Sequence, residues 1–133
     1  MTAQMPPELT ALALAACLQA LQFIAYSVAA QKQVGSEYAA SPRDTPRELS
    51  GVAGRLQRAL NNHFEGLILF TIAVVVVTLS GQSTDFTTNA AWVYLVMRAL
   101  YVPAYVFGLS PWRSLIWAVG FFATMAMILS ALI

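Results

Sequence analysis

Four polar side chains at the start of one apolar stretch are the residues of this chain best placed to do chemistry. Arg55, Arg58, Asn62 and Glu65 lead directly into the predominantly apolar residues 67–79. At about 100° per residue, the four fall within an arc of roughly 80° on one helix face. Ionisable groups at membrane depth cost free energy unless they meet partners or line a polar cavity. The spacing therefore predicts a functional site near one end of a membrane helix.

A second polar face lies in the next apolar segment. Tyr94, Arg98, Tyr101 and Tyr105 are spaced i, i+4, i+7 and i+11, which places them within about 60° of one another on a helix. An arginine deep in a membrane helix needs an acidic or polar partner, and Glu65 is the only carboxylate expected at that depth. We therefore expect Arg98 and Glu65 to approach each other, directly or through water.

The first and last apolar segments add further polar groups. Arg113 and Trp117 share a face one turn inside the fourth segment, and Ser114 lies beside them. The first segment carries a polar stripe formed by Gln19, Gln22, Tyr26 and, if the helix continues, Gln33. Polar side chains in membrane helices often only hold helices together, and we favour that role for Gln19 and Gln22.

The balance of charge in this cluster favours an anionic ligand. Arg58, Arg98 and Arg113 surround the single carboxylate of Glu65, which leaves an excess of positive charge that purely structural pairing does not require. His63 lies well over 100° round the helix from Arg58 and Glu65. An exposed or helix-packing role is therefore expected for His63, with no part in catalysis.

The composition places the chain in the membrane. Of its 133 residues, 59% are apolar and 10% are charged, whereas ordinary soluble domains carry about 25% charged residues. The fold class expected is all-α, a single-domain integral membrane four-helix bundle. The spans are predicted at residues 9–30, 56–79, 90–108 and 112–133, with a polar connection at 31–54.

Several classes of function are disfavoured. A net charge of +1 without a basic tract gives no support for nucleic-acid binding. One cysteine, Cys17, and one histidine offer no metal-ligand spacing, so no metal site is expected. The first apolar segment lacks a basic flank and is too long for a signal peptide, which predicts a retained helix.

The positive charges predict the orientation in the membrane. Lys32, Arg43, Arg47 and Arg55 cluster at the first connection and Arg113 marks the third, whereas the second contains only Asp85. By the positive-inside rule, the first and third connections face the cytoplasm. Both termini of this multi-pass chain are then expected outside the cytoplasm.

These motifs resemble a known family. The pattern R-x-x-R-A-x-x-N-x-x-E from Arg55 to Glu65, then R-x-x-Y-x-x-x-Y from Arg98 to Tyr105, then Arg113-Ser114, is similar to the MAPEG superfamily (membrane-associated proteins in eicosanoid and glutathione metabolism). The chain looks like a prokaryotic-type member, which implies a bacterial inner membrane location. The resemblance also implies a homotrimer with glutathione bound in a U shape between subunits, near the cytoplasmic side.

The resemblance implies a role for each matching residue. Arg113 would stabilise the glutathione thiolate and Ser114 would supply an adjacent hydroxyl, so these two are the expected catalytic residues. The residues expected to bind glutathione as co-substrate are Arg58, Asn62, Glu65, Arg98, Tyr101, Tyr105, Trp117 and Gln33. Gln33 stands, by approximate alignment, where several members have an arginine. Tyr101 and Trp117 replace the histidine and tyrosine of prostaglandin-synthase-like members, which argues against that assignment.

The function expected is a membrane-bound glutathione-dependent transferase or peroxidase. Its thiolate would attack a lipophilic electrophile or hydroperoxide that arrives from the lipid bilayer. Two alternatives remain open. One is a non-catalytic membrane protein that binds a lipid or a lipophilic anion, and the other is a small four-helix transporter. Such transporters usually carry a carboxylate within the first helix, and none is expected there in this chain.

Overall fold

Four α-helices account for most of the residues that the structure describes. The computed structural model describes residues 4–35, 38, 42 and 49–133. Within these residues the helices, in chain order, are α1 at Pro7–Val34, α2 at Gly51–Leu79, α3 at Asp85–Val106 and α4 at Trp112–Leu132. The expectation of an all-α four-helix membrane bundle is confirmed.

Short connections after α2 and α3 make successive helices antiparallel. Gly81 and Gly108 adopt positive φ angles of 71° and 67° just beyond the two helix ends, a conformation that glycine adopts without a steric penalty. The amide of Gln82 donates to the carbonyl of Val77, and that of Leu109 donates to Ala104. These bonds close the last turns of α2 and α3, so each chain reversal takes only a few residues.

The start of α3 is defined by a capping box. The Thr84 hydroxyl accepts from the Thr87 amide at 3.2 Å, and the Thr87 hydroxyl accepts from the Thr84 amide at 2.8 Å. Asp85 adds a carboxylate to the first turn, where it complements the helix dipole. The helix therefore begins at Asp85, earlier than the span expected from residue 90. The polar residues that suggested a connection form its first turn.

The bounds of the other helices also differ from the expected ones, at the first connection and at the end of α3. α1 continues to Val34 and α2 begins at Gly51, so the expected connection at 31–54 is shorter at both ends. α3 ends at Val106 rather than 108, three residues beyond Pro103, which lies inside the helix. Arg43 and Arg47, which contributed to the predicted orientation, lie outside the described residues.

α2 and α3 form the centre of the bundle. Each contacts the other three helices, whereas α1 and α4 do not contact each other within the described residues. Small side chains at the contacts, including Ala11, Ala15, Ala73 and Ala91, are fully buried and allow close approach of the helix backbones. The two central helices are also those that carry most of the predicted site.

One aromatic pair joins the two central helices. The rings of Phe70 and Tyr94 stack with centroids 3.9 Å apart and an interplanar angle of 12°. Phe70 is fully buried, and Tyr94 is buried except for 2% of its surface. Because this stack holds the Tyr94 ring in place, it also determines where the Tyr94 hydroxyl lies, next to Gly66.

The outer surface of the bundle is apolar. Large side chains such as Leu79, 83% exposed, and Phe122, 67% exposed, point away from the core. α1, α2 and α4 are long and apolar enough to cross a membrane. α3, at 22 residues, is long enough at about 33 Å, but Asp85, Arg98 and its tyrosines make it less apolar. Its polar face is covered by the other helices.

A buried carboxylate links the starts of α1 and α3. Glu8 is completely buried, and its Oε2 accepts hydrogen bonds from the hydroxyls of Ser83 and Thr87. The expectation that the first helix contains no carboxylate is wrong, because α1 begins at Pro7 rather than at residue 9. Because Glu8 is hydrophilic and stands just before an apolar run, the sequence suggested that it lies in solvent. In the structure the hydroxyls of Ser83 and Thr87, at the start of α3, hold it inside the bundle.

We predict that Glu8→Ala destabilises the protein. The substitution removes a buried carboxylate that accepts from the hydroxyls of Ser83 and Thr87, so the free energy of unfolding should fall by about 2 kcal/mol. Thermal unfolding in detergent, followed by far-ultraviolet circular dichroism, measures the change. Asp85→Ala is the matched control, since it removes an exposed carboxylate from the same end of the bundle. An equal loss in both variants would contradict a specific role for Glu8.

Candidate functional site

Among the described residues, Arg98 is the positively charged side chain buried most deeply between the helices. Only 3% of its surface is exposed. Its Nη1 donates to Asn62 Oδ1 at 2.9 Å, and its Nε donates to His63 Nδ1 at 3.4 Å. The guanidinium also lies over the Tyr101 ring, with its central carbon 4.5 Å from the ring centroid. Two polar groups from α2 and one ring from α3 therefore hold the charge.

A second cluster forms one turn nearer the end of α3, around Tyr105. Its hydroxyl accepts a hydrogen bond from Arg58 Nε at 3.0 Å. The guanidinium of Arg113, at the start of α4, lies over the same ring at 4.7 Å from the centroid. One tyrosine from α3 thus contacts arginines from both α2 and α4, which brings two positive charges to a single aromatic side chain.

Two neighbouring cavities lie among α2, α3 and α4. The inner cavity has a volume of about 180 Å³, and its wall includes Glu65, Gly66, Tyr94, Arg98 and Phe121. The outer groove has a volume of about 510 Å³ and is lined by Tyr101, Tyr105, Arg113, Ser114 and Ala118. Asn62 and Trp117 line both spaces. The inner cavity and the outer groove are therefore two adjacent parts of one site.

The two parts differ in chemistry. The inner cavity combines the Arg98 guanidinium and the Glu65 carboxylate with apolar side chains such as Phe121. On two residues of its wall, Arg98 Nη2 and the Tyr94 hydroxyl are buried without a hydrogen-bond partner among the described residues. Buried polar groups normally have partners, so both atoms have unused capacity to donate. The outer groove carries the Arg113 guanidinium and the Ser114 hydroxyl instead.

Most of the predicted site residues come together in this place. The eight that line the inner cavity or the outer groove are Asn62, Glu65, Arg98, Tyr101, Tyr105, Arg113, Ser114 and Trp117. Arg58 lines neither space but reaches the site through its hydrogen bond to Tyr105. Among the described residues, no three His, Cys, Asp or Glu side chains are grouped so as to hold a metal ion.

Gln33 takes part in a different interaction. Its Nε2 donates to the carbonyl of Ser50 at 3.0 Å, and its Oε1 accepts from the Ser50 amide at 2.8 Å. Ser50 is the N-cap of α2 and makes no side-chain cap of its own. The side-chain amide of Gln33 therefore bonds to both backbone groups of Ser50, at the start of α2. Gln33 lines neither the inner cavity nor the outer groove. Its contact with glutathione stays a prediction.

Arg55 also has a structural partner. Its Nη1 donates to the carbonyl of Val106 at 3.0 Å, which places the guanidinium at the C-terminus of α3. A cation there satisfies an otherwise free carbonyl and complements the negative end of the helix dipole. The guanidinium lies beside Gly108, where a Cβ would meet it at 3.6 Å. Arg55 thus joins the start of α2 to the end of α3.

Two expectations about individual contacts can be compared with the structure. Arg98 and Glu65 both line the inner cavity but form no direct ion pair, because the guanidinium bonds to Asn62 and His63; their approach through water stays a prediction. His63 is expected to be either exposed or packed between helices, and the packing role is confirmed. His63 is completely buried and its Nε2 lies 3.1 Å from the Ala15 carbonyl of α1. Helical spacing could not reveal its contact with Arg98, since the long arginine side chain reaches round from α3.

The opposite side of α2 carries a separate groove of about 610 Å³ against α1. Among the residues that line it are Gln19, Asn61, Phe23 and Phe64. Gln19 Oε1 and both amide atoms of Gln22 are buried without partners in the described part of the chain. The described residues thus give these three atoms no partner, and the role of Gln19 and Gln22 in holding helices together stays a prediction.

The comparisons with known proteins agree with this arrangement at the level of the family. The sequence model of the MAPEG family matches residues 8–133, which is nearly the whole chain. No curated protein and no solved structure matches the sequence of this chain.

We predict that Gln33→Ala loosens the start of α2. Loss of the paired hydrogen bonds to Ser50 should raise amide hydrogen exchange over residues 51–54 about tenfold, because each such bond contributes about 1 kcal/mol. Exchange followed by mass spectrometry measures the effect. Lys32→Ala, at the exposed neighbouring position, is the control. Unchanged exchange in Gln33→Ala would show that the paired bonds do not hold this helix end.

Proposed function

The chain belongs to the MAPEG family, and we propose that it is a membrane-bound glutathione-dependent transferase or peroxidase. The observation that carries the proposal is the convergence of Arg98, Arg113 and Glu65 on the adjoining inner cavity and outer groove. Arg58 reaches the same place through Tyr105. The coarser statement, that this is an integral membrane protein of this family, rests on the family match and on the apolar helices.

Glutathione fits the charges of the site. It carries two carboxylates and one ammonium, and guanidinium groups bind carboxylates through paired, charge-assisted hydrogen bonds. Three arginines and one glutamate supply the complementary signs. The outer groove, at about 510 Å³, lies in the usual range for sites that bind small molecules. The unpartnered Arg98 Nη2 and Tyr94 hydroxyl provide two further donors.

Arg113 is the residue we assign to activation of the thiol. It is half-buried on the wall of the outer groove and belongs to the first turn of α4. A fixed cation and the positive end of a helix dipole both favour the charged form of a nearby thiol. The Ser114 hydroxyl faces the same groove and would donate a hydrogen bond to the sulfur.

The thiolate would then act as a nucleophile. In conjugation, its sulfur forms a bond to an electrophilic carbon while the leaving group departs with the bonding electrons. In peroxide reduction, sulfur attacks one peroxide oxygen and the O–O bond breaks, giving an alcohol and a sulfenic acid. A second glutathione converts the sulfenic acid to a disulfide and water. Electrophiles and hydroperoxides that partition into lipid would reach the site from the bilayer.

The polar groups left exposed on one chain favour an oligomer, for which the family resemblance implies a homotrimer. Arg58, Glu65 and Asn61 are exposed although they belong to a membrane helix. Charged and amide groups do not face lipid without a large cost. We propose that further copies of the chain cover them and that glutathione binds between subunits. The site would face the cytoplasm of a bacterial inner membrane, with both termini on the other side, in keeping with the positive-inside rule.

We predict that the wild-type protein in detergent forms a bound glutathione thiolate and that Arg113→Ala loses it. Removing the cation leaves the thiol to ionise as it does in water, so the ultraviolet absorbance of the thiolate at neutral pH should fall about tenfold or more. Leu115→Ala, an exposed change in the same turn of α4 that lines neither the inner cavity nor the outer groove, is the control and should retain the signal. Calorimetry on the same samples measures glutathione binding separately.

The two measurements together distinguish the candidate functions. A thiolate signal in the wild type that is missing in Arg113→Ala supports the enzyme, and conjugation and peroxidase assays follow from it. Wild-type protein that gives neither a signal nor calorimetric binding overturns the glutathione assignment. A non-catalytic protein that binds a lipid or a lipophilic anion would then be the stronger reading, because the excess of arginine suits any anion.

We predict a trimer in native mass spectrometry from detergent. The measured mass should equal three chains, and Glu65→Leu should leave more of the protein as single chains or change its glutathione affinity, because the carboxylate lies at the exposed face. Leu79→Ala, an exposed change near the other end of α2, is the control. A monomer that binds glutathione with wild-type affinity would contradict a site shared between subunits.

A further inference from the structure

His63 joins three helices through its two ring nitrogens. It belongs to α2, its Nε2 lies 3.1 Å from the Ala15 carbonyl of α1, and its Nδ1 lies 3.4 Å from Arg98 Nε of α3. A carbonyl only accepts hydrogen bonds and an arginine Nε–H only donates them. The ring must therefore carry its proton on Nε2 and present the lone pair of Nδ1 to Arg98. In this form both nitrogens of a completely buried ring have a partner.

This contact restricts the Arg98 guanidinium. The group is planar, and two of its nitrogens are held from α2, Nε by His63 and Nη1 by Asn62. The Tyr101 ring covers one face of the plane. With two nitrogens and one face held, the position of the third nitrogen, Nη2, is determined. Nη2 is the one that is buried without a partner among the described residues.

We propose that His63 is a positioning residue, which holds the Arg98 guanidinium so that Nη2 is directed to the ligand of the inner cavity. The proposal rests on the proposed function, in which that ligand is glutathione. His63 lines neither the inner cavity nor the outer groove. Its effect is on the direction of a charged hydrogen bond rather than on the chemical step.

The Asn62 contact alone leaves the guanidinium free to rotate. A single hydrogen bond at Nη1 fixes one point, and a side chain with several rotatable bonds can turn about it. The bond at Nε supplies the second point. Without it, Nη2 would spread over several positions, and a ligand would bind at the expense of ordering the side chain. The predicted effect of losing the His63 contact is therefore weaker binding of the ligand.

Two amide substitutions separate the two ring nitrogens. In His63→Asn, the side-chain oxygen lies close to the place of Nδ1 and still accepts from Arg98 Nε. In His63→Gln, the longer amide reaches toward the place of Nε2 and retains the contact with the Ala15 carbonyl. The first variant keeps the contact that positions Arg98, and the second keeps the contact with α1. His63→Ala removes both.

The experiment measures glutathione dissociation constants and steady-state kinetics for the three variants in detergent. We expect His63→Gln and His63→Ala to weaken glutathione binding about tenfold, since the lost bond is to a charged group. KM for glutathione should rise while kcat stays within about threefold, because Arg113 is untouched. His63→Asn should bind glutathione within about threefold of the wild type. Val74→Ala, at a fully buried position on the same helix, controls for lost stability and should leave KM unchanged.

The outcomes separate this inference from the proposed function. Wild-type protein without glutathione binding would overturn both together. Wild-type binding that His63→Gln and His63→Ala leave intact would overturn the positioning role alone, as would a rise in KM in Val74→Ala of the same size. Nitrogen NMR of the histidine ring in the wild type gives a test that needs no variant to fold. It should show a neutral ring protonated at Nε2, and a proton on Nδ1 would overturn the inference.

Discussion

The burial of Arg98 is the constraint on which the rest of this structure depends. An unpaired charge in apolar surroundings costs several kcal/mol, so the bundle must supply partners at that depth. It does so with the amide of Asn62, the ring of His63 and the face of Tyr101. None of these is negatively charged. The arginine is held by dipoles and a π face without being neutralised, and its positive charge therefore remains available to an anion.

The same use of neutral partners recurs around Tyr105. Its hydroxyl binds Arg58, and its ring lies under the guanidinium of Arg113. Because a tyrosine has both an acceptor and a π face, one side chain can contact two cations in different directions. A carboxylate at this position would pair with one arginine and reduce the positive potential of the outer groove. The aromatic residues thus order the arginines while preserving their positive charge.

Polar contacts at the helix ends set the positions of the helices along the bundle. The interior contacts consist largely of alanine, valine and two stacked rings, and apolar packing of this kind is not directional. Glu8 joins the start of α1 to the start of α3, and Arg55 joins the start of α2 to the end of α3. Gln33 binds the backbone at the start of α2. A shift of one helix turn would break these bonds, so they keep the residues of the site level with one another.

By itself, the sequence determined the all-α membrane bundle, the family resemblance and the polar faces of α2 and α3, because composition and helical periodicity are local properties. Tyr101, Tyr105, Arg113 and Asn62 accordingly meet where spacing predicts. Only the tertiary structure decided which groups bond to which. Arg98 bonds to His63 rather than to Glu65, and the buried Glu8 bonds to two hydroxyls at the start of α3. These contacts depend on how far long side chains reach between helices. The residue periodicity of a single helix gives no information about that distance.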